Sequence, residues 1–343
     1  MMHDFLEGCS KYIISFIVVK YVSELKLFTL DVLNKRIAGF DFGPDQRSKP
    51  CYLSWDHLVQ GNVRLSASEM ISFIRFFGLL IGDFIPTNDP MWRLYITLRT
   101  LLDMLMSSFF DLPTCDALET VVAELNELYL FFSKDTLKPK FHFLLHYATV
   151  IKRLGPPSKM WSMRFEAKHR ISKIAARASF NRRNICLSLA VKHQLQMNDL
   201  FLKGALPNTW ESGRERTVQN KGLILKQLGL KDKEILVQVP WVKVNGLTYR
   251  KGTILVYDVM EPNEITFCTV DMIYVCGDQR RVVYKCFIFS TLGFDEHFFA
   301  YEVDPKPSAE GTYLFHDSLS CFTPNHLIFA PNGKNYIIMR EYL

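Results

Sequence analysis

Between Lys152 and Lys192 one acid stands among eleven cations. The cations are Lys152, Arg153, Lys159, Arg164, Lys168, Arg170, Lys173, Arg177, Arg182, Arg183 and Lys192, and the acid is Glu166. The whole chain carries a net charge of only +6, so this window more than accounts for it. Such a set suits one chemistry: cations that receive phosphates, and a carboxylate that holds a metal ion among them. Glu166, Arg170, Lys173 and Arg177 fall at i, i+4, i+7 and i+11, which puts them on one face of a helix. Met163, Ala167, Ile171, Ile174 and Ala178 form an adjoining apolar stripe able to dock it. Spacing alone favours a solvated amphipathic helix whose Glu166–Arg170 pair is worth about 0.2–0.5 kcal/mol. The sharper reading is a surface that tracks a nucleic-acid backbone, each neutralised phosphate releasing counterions. Arg164, Lys168, Arg182, Arg183 and Lys192 extend that surface.

A second constellation is His142 and His146 in KPKFHFLLHY. Two imidazoles at i and i+4 on one helix face can share a metal ion, such as a structural Zn2+. Two ligands do not complete a site, and packed or hydrogen-bonded histidines are the plainer reading. His3 and Asp4 join them only if the fold brings them close. Serine–histidine–aspartate arrangements, glycine-rich phosphate loops and HExxH motifs are absent. The eight cysteines include no CxxC pair and read as reduced thiols of an intracellular protein. The N-terminus carries Asp4 and Glu7 where a secretion signal would carry positive charge. The apolar run Tyr12–Val19 is far shorter than the roughly 20 residues a membrane span needs.

The elements that must position these groups follow from periodicity. Apolar residues three or four apart predict helices over 4–36, Leu65–Phe84, from Asp89-Pro90 to about Ser107, Thr114–Phe132 and Pro139–Leu154. Ser66 and Glu69 form a capping box, and Gly155-Pro156-Pro157 separates these helices from Trp161–Ser179 and Asn181–Phe201. From Ile235 onward the period is two. Strands are predicted at Ile235–Val239, Trp241–Val244, Thr253–Val259, Ile265–Cys276, Arg281–Ser290, Phe298–Val303 and Tyr336–Met339. Asn245-Gly246, Gly277-Asp278 and Asn332-Gly333 supply hairpin-turn chemistry. The expected organisation is an α+β multidomain chain: helical over 1–205, a linker over 206–232 with a short helix at Lys221–Leu228, and all-β over 233–343.

The stretch GPPSKMWSMRFEAKHRISKIAARASFNRRNICLSLAVKHQ (155–194) resembles the C-terminal part of CACTA-like (En/Spm-type) DNA transposases and the transposase-derived proteins of animals. It shares their Gly-Pro, Trp-x-x-x-Phe-Glu, basic helix and Asn-Ile-x-x-x-Leu-Ala helix ending near His-Gln. MHDFLEG (2–8) is similar to their Asp-x-Met-His segment, and KPKFHFLLHY to their Lys-Pro-Lys-x-His block. The resemblance covers about residues 1–200; the β region looks like the domain that often follows.

The resemblance implies the C-terminal part of an RNase H-like core with its helical insertion, without an intact mixed sheet, followed by a small SH3-like barrel. In such cores three acids hold two Mg2+ or Mn2+ ions for strand cleavage and transfer. Glu166 matches the last of those acids, His3 the histidine of the first segment, and His142 and His146 the paired histidines before the glutamate. The aspartate of the first segment would fall just before Met1, and the remaining one further upstream. The expectation is therefore a transposase-derived nucleic-acid-binding protein without catalysis of its own, Glu166 being a vestige. The implied partners are the duplex DNA backbone and a second copy or another transposase subunit, with no membrane. The implied location is the nucleus or the cytoplasm, with no secretion. Two alternatives stay open: the C-terminal portion of an active metal-dependent transposase or nuclease, and a helical scaffold with a β interaction module and no nucleic-acid role.

Overall fold

The computed structural model describes residues 1–179, 183–204, 210–231, 233–261, 264–277 and 280–340. It is an α+β protein, helical in its N-terminal half and built of antiparallel sheets in its C-terminal half. The chain opens as a π-helical segment, Met2–Cys9, which continues as α1 (Ser10–Val19) and a second π-helical segment, Lys20–Glu24. The helix predicted over 4–36 is thus interrupted. Lys26 turns into the left-handed region at φ 53°, and Thr29 Oγ1 accepts a hydrogen bond from Val32 N at 3.2 Å to start α2 (Leu30–Gly39).

After α3 (Trp55–Val59) comes α4 (Ala67–Ile81), which opens on the predicted capping box: Ser66 N donates to Glu69 Oε2 at 2.8 Å and Glu69 N to Ser66 Oγ at 3.4 Å. Its sequence, ASEMISFIRFFGLLI, is apolar nearly all round. Such a helix belongs inside a protein, and almost every residue of α4 is buried.

There follow α5 (Trp92–Met106), which packs on α4, then α6 (Leu112–Ser133) on α5, α7 (Pro139–Leu144) on the Met2–Cys9 segment, and α8 (Tyr147–Leu154) on α6. Pro90 sits outside α5, in a turn where Asp89 Oδ1 accepts from Met91 N at 2.8 Å, so the predicted proline-first start is displaced by two residues. The single helix predicted over Pro139–Leu154 is split, because Leu145 N and His146 N bond three residues back to His142 O and Phe143 O. Next come α9 (Pro157–Met160), α10 (Ser162–Ser179) and α11 (Ile185–Leu202), the last capped by Asn184. Among the described residues no helix is long and apolar enough to cross a membrane.

The predicted linker carries structure: β1 (Trp210–Ser212), β2 (Arg216–Thr217) and α12 (Lys221–Gln227). Then follow β3 (Leu236–Val239), β4 (Trp241–Val244), β5 (Leu247–Arg250), β6 (Ile254–Glu261), β7 (Glu264–Cys276), β8 (Arg281–Ile288), β9 (Thr291–Asp295), β10 (Ala300–Val303), β11 (Thr312–Phe315), β12 (Leu327–Phe329) and β13 (Asn335–Ile337). Among the described residues they form three antiparallel sheets, ordered β1-β4-β5, β11-β8-β7-β3-β2 with β6 also on β7, and β12-β13-β10-β9. Asn245 and Gly246, at φ 49° and 85°, make the expected tight turn between β4 and β5.

The third sheet rests on the helices. Ala300, Ile328, Ala330, Tyr336 and Ile338 belong to the same buried cluster as α1, α4 and α5. Trp92 Nε1 donates to His297 O at 2.9 Å, and His297 Nε2 meets Gly82 O at 2.8 Å. Gly78 permits this approach, since a Cβ there would lie 2.6 Å from Phe298 O. A buried chain of alternating charges crosses the same seam: Arg99–Asp103 on α5, Arg75 on α4, Asp45, and Arg340 beyond β13. Arg75 meets Asp45 at 3.1 Å and Arg340 meets it at 2.6 Å. The hydrophobic core runs from the helices into this third sheet.

Candidate functional site

The N-terminal helix, α7 and the start of α10 meet at one place. Lys140, on α7, lies across the Met2–Cys9 segment and donates through Nζ to His3 O at 2.7 Å and Glu7 O at 3.3 Å. Gly8 leaves room for the Lys140 stem. Trp161 and Met163 pack against the helical core, and Ser162 Oγ contacts Met2 Sδ at 3.3 Å. These contacts fix the first turn of α10 beside His3. The result is a histidine between two carboxylates: His3 Nδ1 lies 2.8 Å from Glu7 Oε2, and His3 Nε2 lies 3.1 Å from Glu166 Oε1. Either ring nitrogen, when it carries a proton, can donate to the carboxylate it faces. All three side chains reach solvent.

Glu166 therefore pairs with His3 and not with Arg170, its neighbour at i+4. Asp4 turns away from the glutamate; it faces the amino group of Met1 at 3.5 Å and the hydroxyl of Tyr147 at 3.4 Å. Burial, with Asp4 beside it, pushes the Tyr147 phenol up from its ordinary value. Glu7 and Lys140 were not singled out from the sequence. The i, i+4 spacing of His3 and Glu7 was the available signal for the first. Lys140 belongs to the KPKFHFLLHY block, but its contact with the N-terminal segment depends on α7 crossing it.

His142 and His146 meet each other. His142 lies on α7 and His146 immediately precedes α8; their Nε2 atoms are 3.1 Å apart and their rings are edge-on. That spacing is what two imidazoles on one ion would show, with metal–nitrogen distances of about 2.0–2.1 Å. The pair is half of a tetrahedral set, and among the described residues no group of three or more His, Cys, Asp and Glu is arranged to hold a metal. His3 joins Glu7 and Glu166, not this pair. Neither arrangement fits two catalytic divalent ions. Hard cations require several convergent oxygens, whereas the Glu7 and Glu166 carboxylates flank an imidazole.

The cations are presented as a helix surface. Arg164, Lys168, Arg170, Lys173 and Arg177 on α10 and Lys192 on α11 are exposed, and none of these forms an ion pair among the described residues. Arg183, between the two helices, is exposed too. Arg182 lies outside the described residues. The apolar stripe expected to dock α10 does so only at its start. Ile171 and Ile174 are 47% and 58% exposed, and beyond Met163 the helix leaves the body. The second helix, α11, likewise has no buried residue.

Comparison of this chain with protein families, with curated proteins and with solved structures finds no match.

Proposed function

We propose that the chain is a transposase-derived nucleic-acid-binding protein of the CACTA-like kind, acting in the nucleus through the cations of α10 and α11 on the backbone of duplex DNA. The observation that carries the reading is the contact between His3 and Glu166. These residues belong to two motifs that the resemblance assigns to one site, and they meet at 3.1 Å across 163 residues of sequence. The cationic face of α10 starts at that contact and stays open to solvent. In this reading the helical half corresponds to the C-terminal part of an RNase H-like core with its helical insertion, and the antiparallel half contains a small SH3-like recognition barrel. Glu166 is a vestigial acid held by His3.

Binding of a duplex oligonucleotide, measured against salt concentration, tests the reading. Arg170, Lys173 and Arg177 share one face and can engage about three phosphates. Replacing all three by Gln then flattens the log–log salt slope by about 2.7, at about 0.9 per phosphate. A flat dependence, or an unchanged slope in the triple variant, would leave a helical scaffold without a nucleic-acid role. Cleavage of the duplex with Mg2+ or Mn2+ that Glu166→Gln abolishes would establish an active nuclease in place of a binding protein.

A further inference from the structure

The helix α11 carries no buried residue, yet its exposed aliphatic side chains fall on one line. Leu187, Val191, Leu195 and Leu202 are 59%, 49%, 62% and 88% exposed. They stand at i, i+4, i+8 and i+15, which is one face of a helix. A contiguous apolar face left in water marks a surface that another molecule covers.

Charge decides what can cover it. The neighbouring helix α10 sets five cations against Glu166 alone, so two copies of α10 would repel each other. In contrast, α11 balances one lysine, Lys192, with one aspartate, Asp199. These two are seven residues apart, so they project from the same flank of the apolar line. Identical helices paired in parallel bring opposite flanks together. Paired antiparallel about a twofold axis, they bring like flanks together, and every contact occurs twice.

An axis at Leu195 gives such a pair a register in which everything finds a partner. Leu195 meets its own copy. Leu187, eight residues before the axis, meets Leu202, seven residues after it. Lys192, three residues before the axis, meets Asp199, four residues after it. Asp199 already pairs with Lys203 at 2.8 Å, and a carboxylate accepts from more than one ammonium. The apolar line and the charges on its flank therefore prescribe the same alignment to within one residue.

We propose that α11 is a homodimer contact, on which a second copy of this chain lays its own α11 antiparallel with the twofold axis at Leu195. Lys192 then serves the dimer. The salt-slope test of DNA binding turns on Arg170, Lys173 and Arg177 instead, so the two readings fail separately.

Sedimentation equilibrium of the full chain without nucleic acid, over roughly 1–100 μM, reads the association. A reversible doubling of the 39.9 kDa mass is expected. Leu195→Glu sets two carboxylates face to face on the axis and should raise Kd by roughly thirtyfold or more, as loss of a central contact does. Because α11 buries nothing, the circular dichroism and thermal melt of this variant should match those of the parent. Lys192→Asp should raise Kd by about threefold or more, and adding Asp199→Lys should bring it back toward the parent value. A chain that stays monomeric throughout overturns the proposal, as does a dimer indifferent to Leu195→Glu. A dimer that the second charge exchange fails to recover overturns the antiparallel register, and the proposal with it.

Discussion

Replacing Asp45 by Asn removes the charge that two guanidiniums share while keeping the side chain's shape. Asp45 bonds Arg75 at 3.1 Å and Arg340 at 2.6 and 3.1 Å; the Arg75 side chain is 4% exposed and that of Asp45 14%. Breaking a buried ion pair from one side leaves an uncompensated charge and costs about 3–5 kcal/mol. The low end, about 3 kcal/mol, applies here, because an Asn oxygen still accepts one hydrogen bond. In urea unfolding followed by circular dichroism at pH 7, a slope of about 3 kcal/mol/M converts that loss to a midpoint lower by about 1 M. Arg340→Met should lose less, because Arg75 keeps its carboxylate.

The pH dependence of the loss has a definite sign. Burial pushes the Asp45 carboxyl up, but Arg75 and Arg340 together pull it further down, so it lies below the usual carboxylate range. A depressed folded-state value contributes stability that is present above the unfolded value, near pH 4, and is lost as pH falls through the folded one. The difference between parent and Asp45→Asn should therefore close below about pH 4. An unchanged midpoint at pH 7, or a difference that widens in acid, would refute the argument.

Gly78→Ala should lower stability by about 1–3 kcal/mol, since the added Cβ forces the 297–298 segment away from α4; a thermal melt reads the change, and an unaltered melt would mean that the segment yields freely. Ser66→Ala removes the capping-box acceptor of α4 and should cost about 1 kcal/mol in the same melt. Glu166→Gln, by contrast, breaks only an exposed contact and should leave stability within about 1 kcal/mol; a larger loss would make His3–Glu166 a structural clamp.

What could be read from the sequence follows the range of the forces involved. Capping at Ser66, the break at Gly155 and the Asn245-Gly246 turn depend on residues a few positions apart, and all stand where the pattern puts them. The split between α7 and α8 did not show in periodicity, since both pieces keep apolar residues at helical spacing. Short strands such as β5, β9 and β12 have too few residues to establish a period of two. The docking of α10 misled for another reason: an apolar stripe states that a face is available, not that something covers it. The buried charges had one visible sign. Arg75 interrupts the apolar run of α4, and a cation there must find a carboxylate. Which carboxylate answers it depends on contacts 30 and 265 residues away, with Asp45 and Arg340.

The packing of β10, β12 and β13 onto α4 also sets a timetable for synthesis. Ile81, which ends α4, and Ile337, which ends β13, are about 250 residues apart. At about 5–20 residues per second a ribosome needs roughly 13–50 s to cover that distance. Throughout that interval this helix, apolar nearly all round, has its neighbours α1 and α5 but lacks the sheet that closes over it. The nascent helical half must therefore wait with part of its core uncovered, which is the condition in which chaperones engage a growing chain.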